Sequence, residues 1–234
     1  MKKIVFVFVL LCSVSVYVSS EEKKSDKTSK YSAPYMLGVA LTRNITEYQF
    51  TKDEISQIIK GFNDGINKRV NYKEVINYEE LNGFINDKKN IIIQKHKKEG
   101  ESYLLNMAKE PNAQKFESGL VLIKTVEGNG DTPVSTDIVK VHYNGYFING
   151  VSFDSSYKRG EPVKFALNQV IPCWTEALTK IKVGGKAKIG CPSQIAYGDK
   201  GMEPVIPPGS TLIFDVELLD IVRQQNVTKE DKKE

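Results

Sequence analysis

The chain has 234 residues, of which 40% are hydrophobic and 26% charged, so it can fold as one or two globular domains with a sizeable core. Its net charge of +4 is spread along the chain without a dense Lys/Arg block, which argues against a nucleic-acid partner. It has two histidines and no Cys-x-x-Cys, His-Glu-x-x-His or Gly-x-Ser-x-Gly motif, so we expect neither metal nor nucleophilic catalysis and no cofactor.

The N-terminus has the order of a secretory signal peptide. Lys2-Lys3 precede the apolar run Ile4–Val18, and the small residues Ser19-Ser20 stand before two glutamates. This run is shorter than the stretch of about 20 residues that spans a membrane. We therefore predict a signal peptide at residues 1–20 and no membrane span after its cleavage, with an uncleaved anchor as the alternative. The predicted location is the secretory pathway, with the protein periplasmic, cell-surface or extracellular. Residues 21–33 follow as a charged leader that we expect to be disordered.

Residues 34–76 contain two short predicted helices. Tyr35–Leu41 is a short apolar candidate, and Thr51–Glu54 forms a capping box that opens a second helix ending near Asn67. The apolar residues of the second helix lie on one side of it: Ile55, Ile58, Ile59, Phe62 and Ile66. Both helices are too short to bury these faces alone, and the region has little core for a monomer. We therefore predict a dimerisation domain and a homodimer.

A long helix is predicted from about Asn77 to Lys109, connecting the two bodies at residues 77–110. Its apolar residues cluster at the two ends, and the middle, Gln94–Glu101, is charged. At about 1.5 Å per residue such a helix spans on the order of 45–50 Å, longer than one small domain. We interpret it as a solvated rod, with His96 facing solvent and Gly100 as the place where it bends or breaks.

After Pro111 the hydrophobic period changes from that of a helix to the period of two typical of strands. Six strands are predicted: Leu120–Val126, Ile138–Phe147, Val151–Phe153, Val163–Leu167, Lys186–Cys191 and Thr211–Val222. The pair Asn149-Gly150 is a strong hairpin signal between the second and third of them. The fold class is therefore α+β, with an antiparallel sheet wrapped on a short helix over residues 111–223 and a disordered tail at 224–234.

The only tryptophan, Trp174, lies on that short helix, which begins at Pro172, a residue suited to the first turn. On its own, the apolar stripe of Trp174, Ala177 and Leu178 favours a core anchor over the floor of a pocket. His142 alternates out of phase with the apolar residues of its strand, so we expect it to face solvent.

Two cysteines remain in the mature chain, since Cys12 lies within the signal peptide. Cys173 and Cys191 either form a disulfide in an oxidising compartment or pack singly as buried thiols. The sequence does not decide between these alternatives.

The predicted β domain carries aromatic and branched residues next to turns, where a core does not require them. They fall in six segments: Val141–Gly145, Phe153–Ser156, Gln169–Trp174, Ala196–Gly198, Ile206–Gly209 and Leu212–Leu218. In order and spacing, the segments resemble the FKBP-type peptidyl-prolyl cis-trans isomerases. The signal peptide, the N-terminal helices and the long helix resemble the macrophage infectivity potentiator (Mip) branch of that family, whose members are secreted or periplasmic homodimers.

The resemblance implies a proline-binding pocket and assigns its residues by position. Four would be catalytic, namely Tyr143, Asp154, Tyr197 and Phe214, and six would bind substrate, namely Phe153, Phe165, Val170, Ile171, Trp174 and Ile206. In the family the indole is the floor, and the backbone N–H at the Ile171 position donates to a ligand carbonyl. The Asp154 carboxylate and the Tyr197 hydroxyl would be the polar contacts.

The resemblance also implies binding of ligands of the tacrolimus and rapamycin type. Three residues depart from the family pattern: Gln169, where some members have an acid, Met202, where some have a histidine, and Cys173, where glycine is usual. We expect them to alter substrate preference or inhibitor affinity before they abolish activity.

The implied activity is rotation about X-Pro bonds in proline-containing polypeptides that are exported. The mechanism would be desolvation and twisting of the amide in an aromatic pocket, with Asp154 acting electrostatically and transferring no proton. The alternative is a dimeric chaperone or adhesion module that binds unfolded or host proteins, with isomerisation incidental.

Overall fold

The computed structural model describes residues 31–42 and 48–222. The predicted signal peptide, most of the predicted leader and the predicted tail lie outside the described residues. Within the described ranges, no helix has both the length and the apolar character needed to cross a membrane.

Helix α1 spans Ala33–Thr42 and belongs to a compact unit separate from the rest of the chain. In the second unit, α2 spans Lys52–Ile66 and α3 spans Tyr72–Val75. The predicted capping box is confirmed, because the Thr51 hydroxyl accepts from the Glu54 amide and the Glu54 carboxylate accepts from the Thr51 amide. Both α1 and α2 expose large apolar side chains: Tyr35, Met36, Leu37, Val39 and Leu41 on α1, and Ile55, Ile58, Ile59, Phe62 and Ile66 on α2.

Helix α4 spans Tyr78–Met107, a run of 30 residues. The buried Lys88 joins it to the start of α2, since its Nζ lies 2.7 Å from the Glu54 carboxylate. The same ammonium lies 5.7 Å from the ring centre of Phe50 and 5.4 Å from that of Phe84. The two rings flank the ammonium and leave 11% of the Lys88 side chain exposed, whereas the Glu54 side chain is 26% exposed.

The β domain is a seven-stranded antiparallel sheet with two short helices. Its elements are β1 (Ala113–Lys115), β2 (Val121–Val126), β3 (Ile138–Phe147), β4 (Ser152–Ser155), α5 (Ser156–Arg159), β5 (Val163–Ala166), α6 (Pro172–Leu178), β6 (Lys186–Cys191) and β7 (Leu212–Val222). The strand order is β1-β2-β6-β7-β3-β4, and β5 pairs with β3 on the same edge as β4. The fold class is confirmed, as are the Asn149-Gly150 turn and the six predicted strands to within a residue or two.

The sheet is covered on one face by its main core and, around β2, on the other face by α4. On one face α6 packs through Trp174 and Leu178 on a cluster that includes alternate residues of β2, β3 and β7. On the other face, the last turns of α4 pack on a smaller cluster: Leu104, Met107, Val121, Ile123 and Ile213. Because both faces are covered, Leu120–Ile123 is buried at every position, and the strand shows a continuous apolar run there rather than alternation.

The middle of α4 differs from the predicted solvated rod. Gly100 is buried and the helix continues through it, where a Cβ would lie only 2.0 Å from Thr211 Oγ1. His96 is half-buried, with its Nδ1 2.8 Å from the carbonyl oxygen of Pro208. The prediction was wrong because the surface that covers these residues comes from the β domain, more than a hundred positions later in the chain.

Candidate functional site

Trp174 lies at the centre of an aromatic cluster. Pro172 begins α6, and two residues later the indole is placed over the sheet with 4% of its surface exposed. Three rings meet it edge to face: the ring centre of Tyr143 is 5.1 Å away, that of Phe214 5.3 Å and that of Phe165 5.4 Å. Edge-to-face contact between rings is favourable in itself, so the cluster fixes the indole on three sides.

A second row of rings extends the cluster along β3 and β4. Phe153 meets Phe214 edge to face at 5.7 Å and lies 5.1 Å from Phe147. Gly145 makes this approach possible, because a Cβ there would lie 2.7 Å from the Phe153 ring and 3.0 Å from the Phe214 ring. The hairpin thus holds one aromatic wall of the site.

Branched side chains complete the apolar surroundings. Ile206 is 1% exposed and belongs to the same buried cluster, and the half-buried Val170, Ile171 and Tyr197 pack against that cluster. Nine of the ten predicted site residues are therefore in the Trp174 cluster or packed against it. The tenth, Asp154, reaches it through a hydrogen bond.

Asp154, Tyr143 and Arg159 form a polar group beside the rings. The Tyr143 hydroxyl and the Arg159 guanidinium both donate to the Asp154 carboxylate, and the guanidinium also donates to Tyr143 Oη at 3.0 Å. Burial opposes ionisation of Asp154, but the hydrogen bonds from Tyr143 and Arg159 outweigh it and lower its pKa. Burial, together with the bond to the carboxylate, raises the pKa of Tyr143.

Ser156 supports Tyr143 from behind. This fully buried hydroxyl accepts from the Tyr143 amide at 2.8 Å and donates to the Tyr143 carbonyl at 3.2 Å. His142 Nδ1 lies 2.9 Å from the same oxygen, and its ring stacks on Tyr157 at 4.5 Å. The prediction that His142 faces solvent is therefore wrong: its ring is half-buried under α5, a helix that the sequence pattern did not predict.

Within the described part of the chain, the buried Trp174 Nε1 has no hydrogen-bond acceptor. Neither do two less buried donors of the site, the Ile171 amide and the Tyr197 hydroxyl. Burial and the negative charge of Asp154 raise the pKa of Tyr197, so its hydroxyl stays protonated over the ordinary pH range. Both groups are available to donate to a carbonyl oxygen. This is the chemistry that an amide-binding pocket needs.

The structure decides the question of the cysteines. Cys173 on α6 and Cys191 at the end of β6 form a disulfide, with their Cα atoms 5.8 Å apart and both side chains buried. The bond ties the Trp174 helix to the sheet. The other two residues that depart from the family pattern, Gln169 and Met202, are both exposed.

Sequence reasoning missed two residues of this site, Arg159 and Ser156. The segment after Asp154 has the pattern of a turn, and no periodic signal marks a helix as short as α5. The available signal was a cation five positions after a pocket carboxylate. Within the described residues, no group of three or more His, Cys, Asp or Glu side chains could hold a metal ion.

The comparisons with known proteins agree with this geometry. A family model described as "FKBP-type peptidyl-prolyl cis-trans isomerase" matches residues 130–219, and one described as "Domain amino terminal to FKBP-type peptidyl-prolyl isomerase" matches residues 30–122. The FKBP-type peptidyl-prolyl cis-trans isomerase FkpA of Aeromonas hydrophila is 38% identical over 212 residues, which cover 85% of this chain and 79% of that protein. The chain belongs to the FKBP-type peptidyl-prolyl cis-trans isomerases.

This FKBP-type isomerase resembles its relatives in the N-terminal helices as well as in the sheet. FkpA of Escherichia coli K12 is 37% identical over 208 residues, 85% of this chain and 77% of that protein. The crystal structure of Escherichia coli FkpA matches with a TM-score of 0.59 and 36% identity, covering 84% of this chain and 98% of that one. The resemblance inferred from the six segments is thereby confirmed.

Proposed function

We propose that this isomerase accelerates X-Pro bond rotation in exported polypeptides and that the Trp174 cluster is its substrate pocket. The observation that carries the proposal is the set of three rings edge to face around Trp174, with the Tyr143–Asp154–Arg159 group beside them. A proline ring is apolar and flat enough to lie on such an indole. The adjacent polar group provides a fixed charge without a nucleophile.

The physical chemistry of the reaction requires little more. Rotation about a peptide bond has a barrier of about 18–20 kcal/mol because resonance gives the C–N bond partial double-bond character. In the twisted state this resonance is lost and the amide is less polar, so a pocket that removes water favours that state. Each tenfold acceleration corresponds to about 1.4 kcal/mol removed from the barrier.

The polar groups then have separate roles. The Ile171 amide and the Tyr197 hydroxyl donate to substrate carbonyls, and this fixes the orientation of the amide before it twists. Asp154 stays ionised at neutral pH, because its pKa is lowered, and it acts through its field without transferring a proton. Phe153, Phe165, Val170 and Ile206 exclude water around the proline ring.

The test uses the mature chain, without residues 1–20, and a short X-Pro peptide whose exchange is followed by NMR. We expect catalysis by the wild type and a fall in kcat/KM of about tenfold or more in Trp174→Leu, since the floor of the pocket is lost. Tyr146→Leu is the matched control, a half-buried aromatic of β3 that packs in the cluster on the other face of the sheet. Tacrolimus should quench the fluorescence of Trp174 and inhibit the wild type. A wild type that does not catalyse exchange above the uncatalysed rate contradicts the proposal.

Two further parts of the proposal concern assembly and location. The apolar faces of α1 and α2 are exposed on one chain and fit a homodimer. The signal-peptide pattern of residues 1–20 and the buried Cys173–Cys191 disulfide both fit an oxidising compartment outside the cytoplasm.

A second candidate function is a holding chaperone, and the same exposed apolar residues of α1 and α2 favour it. Asp154→Leu separates the two functions. A variant that loses proline-limited refolding catalysis but still suppresses aggregation of an unfolded client shows that holding is independent of the pocket. Loss of both activities together favours isomerisation as the primary one.

A further inference from the structure

The second half of α4 lies against the loop that carries two of the proposed pocket residues. We call Tyr197–Gly209 the rim loop, since Tyr197 and Ile206 both belong to it. His96 Nδ1 lies 2.8 Å from the Pro208 carbonyl oxygen, and Lys97 Nζ lies 2.6 Å from the Asp199 carboxylate. Helix α4 therefore contacts the rim loop near both of its ends.

Glycines allow an unusually close approach between α4 and the β domain. Gly209 has φ +72°, and a Cβ there would lie 2.9 Å from the Ile93 carbonyl oxygen. Likewise, a Cβ at Gly100 would lie 2.0 Å from the Thr211 hydroxyl, and a Cβ at Gly190 would lie 2.4 Å from a Leu104 methyl group. Close-packed surfaces of this kind leave little room for the helix to shift on the loop.

Backbone hydrogen bonds within the rim loop connect the residues that contact α4 with the residues next to the pocket. The Gly209 amide donates to the Gly198 carbonyl at 3.0 Å, one residue from Tyr197. Ile206 and Met202 exchange both backbone hydrogen bonds at 2.8 Å. Pro208 thus lies between Ile206, two residues before it, and Gly209, whose amide bonds to the residue that follows Tyr197.

We propose that His96 is a positioning residue for the isomerase site, acting through its hydrogen bond to the Pro208 carbonyl on the rim loop; this rests on the proposed function. A carbonyl oxygen only accepts, so Nδ1 carries the hydrogen. Of the two polar contacts from α4, the exposed Lys97–Asp199 pair contributes little because solvent screens it. His96 is half-buried, so of these two contacts its hydrogen bond holds the loop more strongly.

The effect should appear in substrate binding. A loosened rim loop must be ordered when substrate binds, so the KM rises while the twisting step on the Trp174 floor is unaffected. Loss of one such hydrogen bond predicts a rise in KM of about three- to tenfold, with kcat within about twofold of wild type.

The experiment measures kcat and KM for the mature full chain and three variants on the same X-Pro peptide. His96→Ala removes the donor, and His96→Asn places an amide nitrogen close to the position of Nδ1. Gln94→Ala is the control on the exposed side of the same helix. We expect the raised KM in His96→Ala alone, with the other two variants near wild type and kcat unchanged in all four proteins.

The outcomes separate this inference from the proposed function. An inactive wild type overturns the proposed function itself. An active wild type with an unchanged KM in His96→Ala overturns only the positioning role. A raised KM that His96→Asn does not restore, or that comes with an equal fall in kcat, also overturns it, since a general packing defect then explains the result.

Discussion

At the residue scale, the polar side of the pocket depends on one carboxylate, Asp154. Burial opposes its ionisation, and hydrogen bonds from Tyr143 and Arg159 reverse that effect and lower its pKa. Because folding lowers the pKa of Asp154, its ionised carboxylate stabilises the folded protein at pH values above the ordinary aspartate pKa of about 3.9. This stabilisation is lost as the pH falls through the lowered pKa that Asp154 has in the folded protein.

We predict that kcat/KM on an X-Pro peptide is flat from roughly pH 8 to pH 5 and falls only below about pH 4. Arg159→Gln removes the cation that holds the carboxylate ionised, so the fall should begin at a higher pH. NMR exchange measures both profiles without a coupling protease. Lys158→Gln, on the same short helix, should keep the wild-type profile. Identical profiles in the wild type and Arg159→Gln would show that Asp154 does not control the rate.

The catalytic and substrate-binding roles of Tyr143, Phe153 and Phe214 remain predictions. Motif order was nevertheless sufficient to bring these residues together around Trp174, because each has a fixed place in its segment. It was insufficient for Arg159 and Ser156. Their roles depend on hydrogen bonds across α5 and β3, and such contacts leave no periodic pattern in the sequence.

At the element scale, the length of a helix or strand and the regularity of its hydrophobic pattern decided whether the sequence could predict it. The strands β3 and β6 match their predicted bounds, since alternation over six to ten residues is a strong signal. The elements β1, α3 and α5 were missed because three or four residues are too few to show a period. The disulfide was undecided because only the fold brings α6 to the end of β6.

We predict that reducing the Cys173–Cys191 bond lowers the free energy of unfolding by about 3 kcal/mol. The two cysteines are 18 positions apart, and the bond restricts the loop between them in the unfolded chain. Urea titrations with and without dithiothreitol measure the difference. The double variant Cys173→Ala/Cys191→Ala should unfold at the same urea concentration in both conditions. A wild type insensitive to dithiothreitol, with thiols shown to be reduced, would contradict this role of the bond.

At the scale of the whole molecule, the proposed substrate pocket and the exposed apolar helices come from different parts of the chain. The rings around Trp174 all come from the β domain, whereas α2 buries none of its residues. Assembly and catalysis can therefore be disturbed separately. In the proposed dimer, burial of these helix faces would stabilise the assembly by roughly 25 cal/mol per Å² of apolar surface.

We predict that Phe62→Asp converts a homodimer into a monomer, because it places a charge on the apolar face of α2. Light scattering at micromolar concentration gives the mass. Lys60→Asp changes charge on the same exposed helix away from that face and should leave the dimer intact. The kcat/KM on a short peptide should be the same in all three proteins. A wild type that is already a monomer would remove the proposed role of α2.

The burial of β2 on both faces determines where the chain can be cut. A fragment that starts at β1 would lose Leu104 and Met107 and leave Val121, Ile123 and Ile213 in contact with water. Such a fragment would tend to self-associate through that uncovered strip. The shortest catalytic fragment should instead begin near Ile92, so that the second half of α4 remains as the outer cover of the sheet.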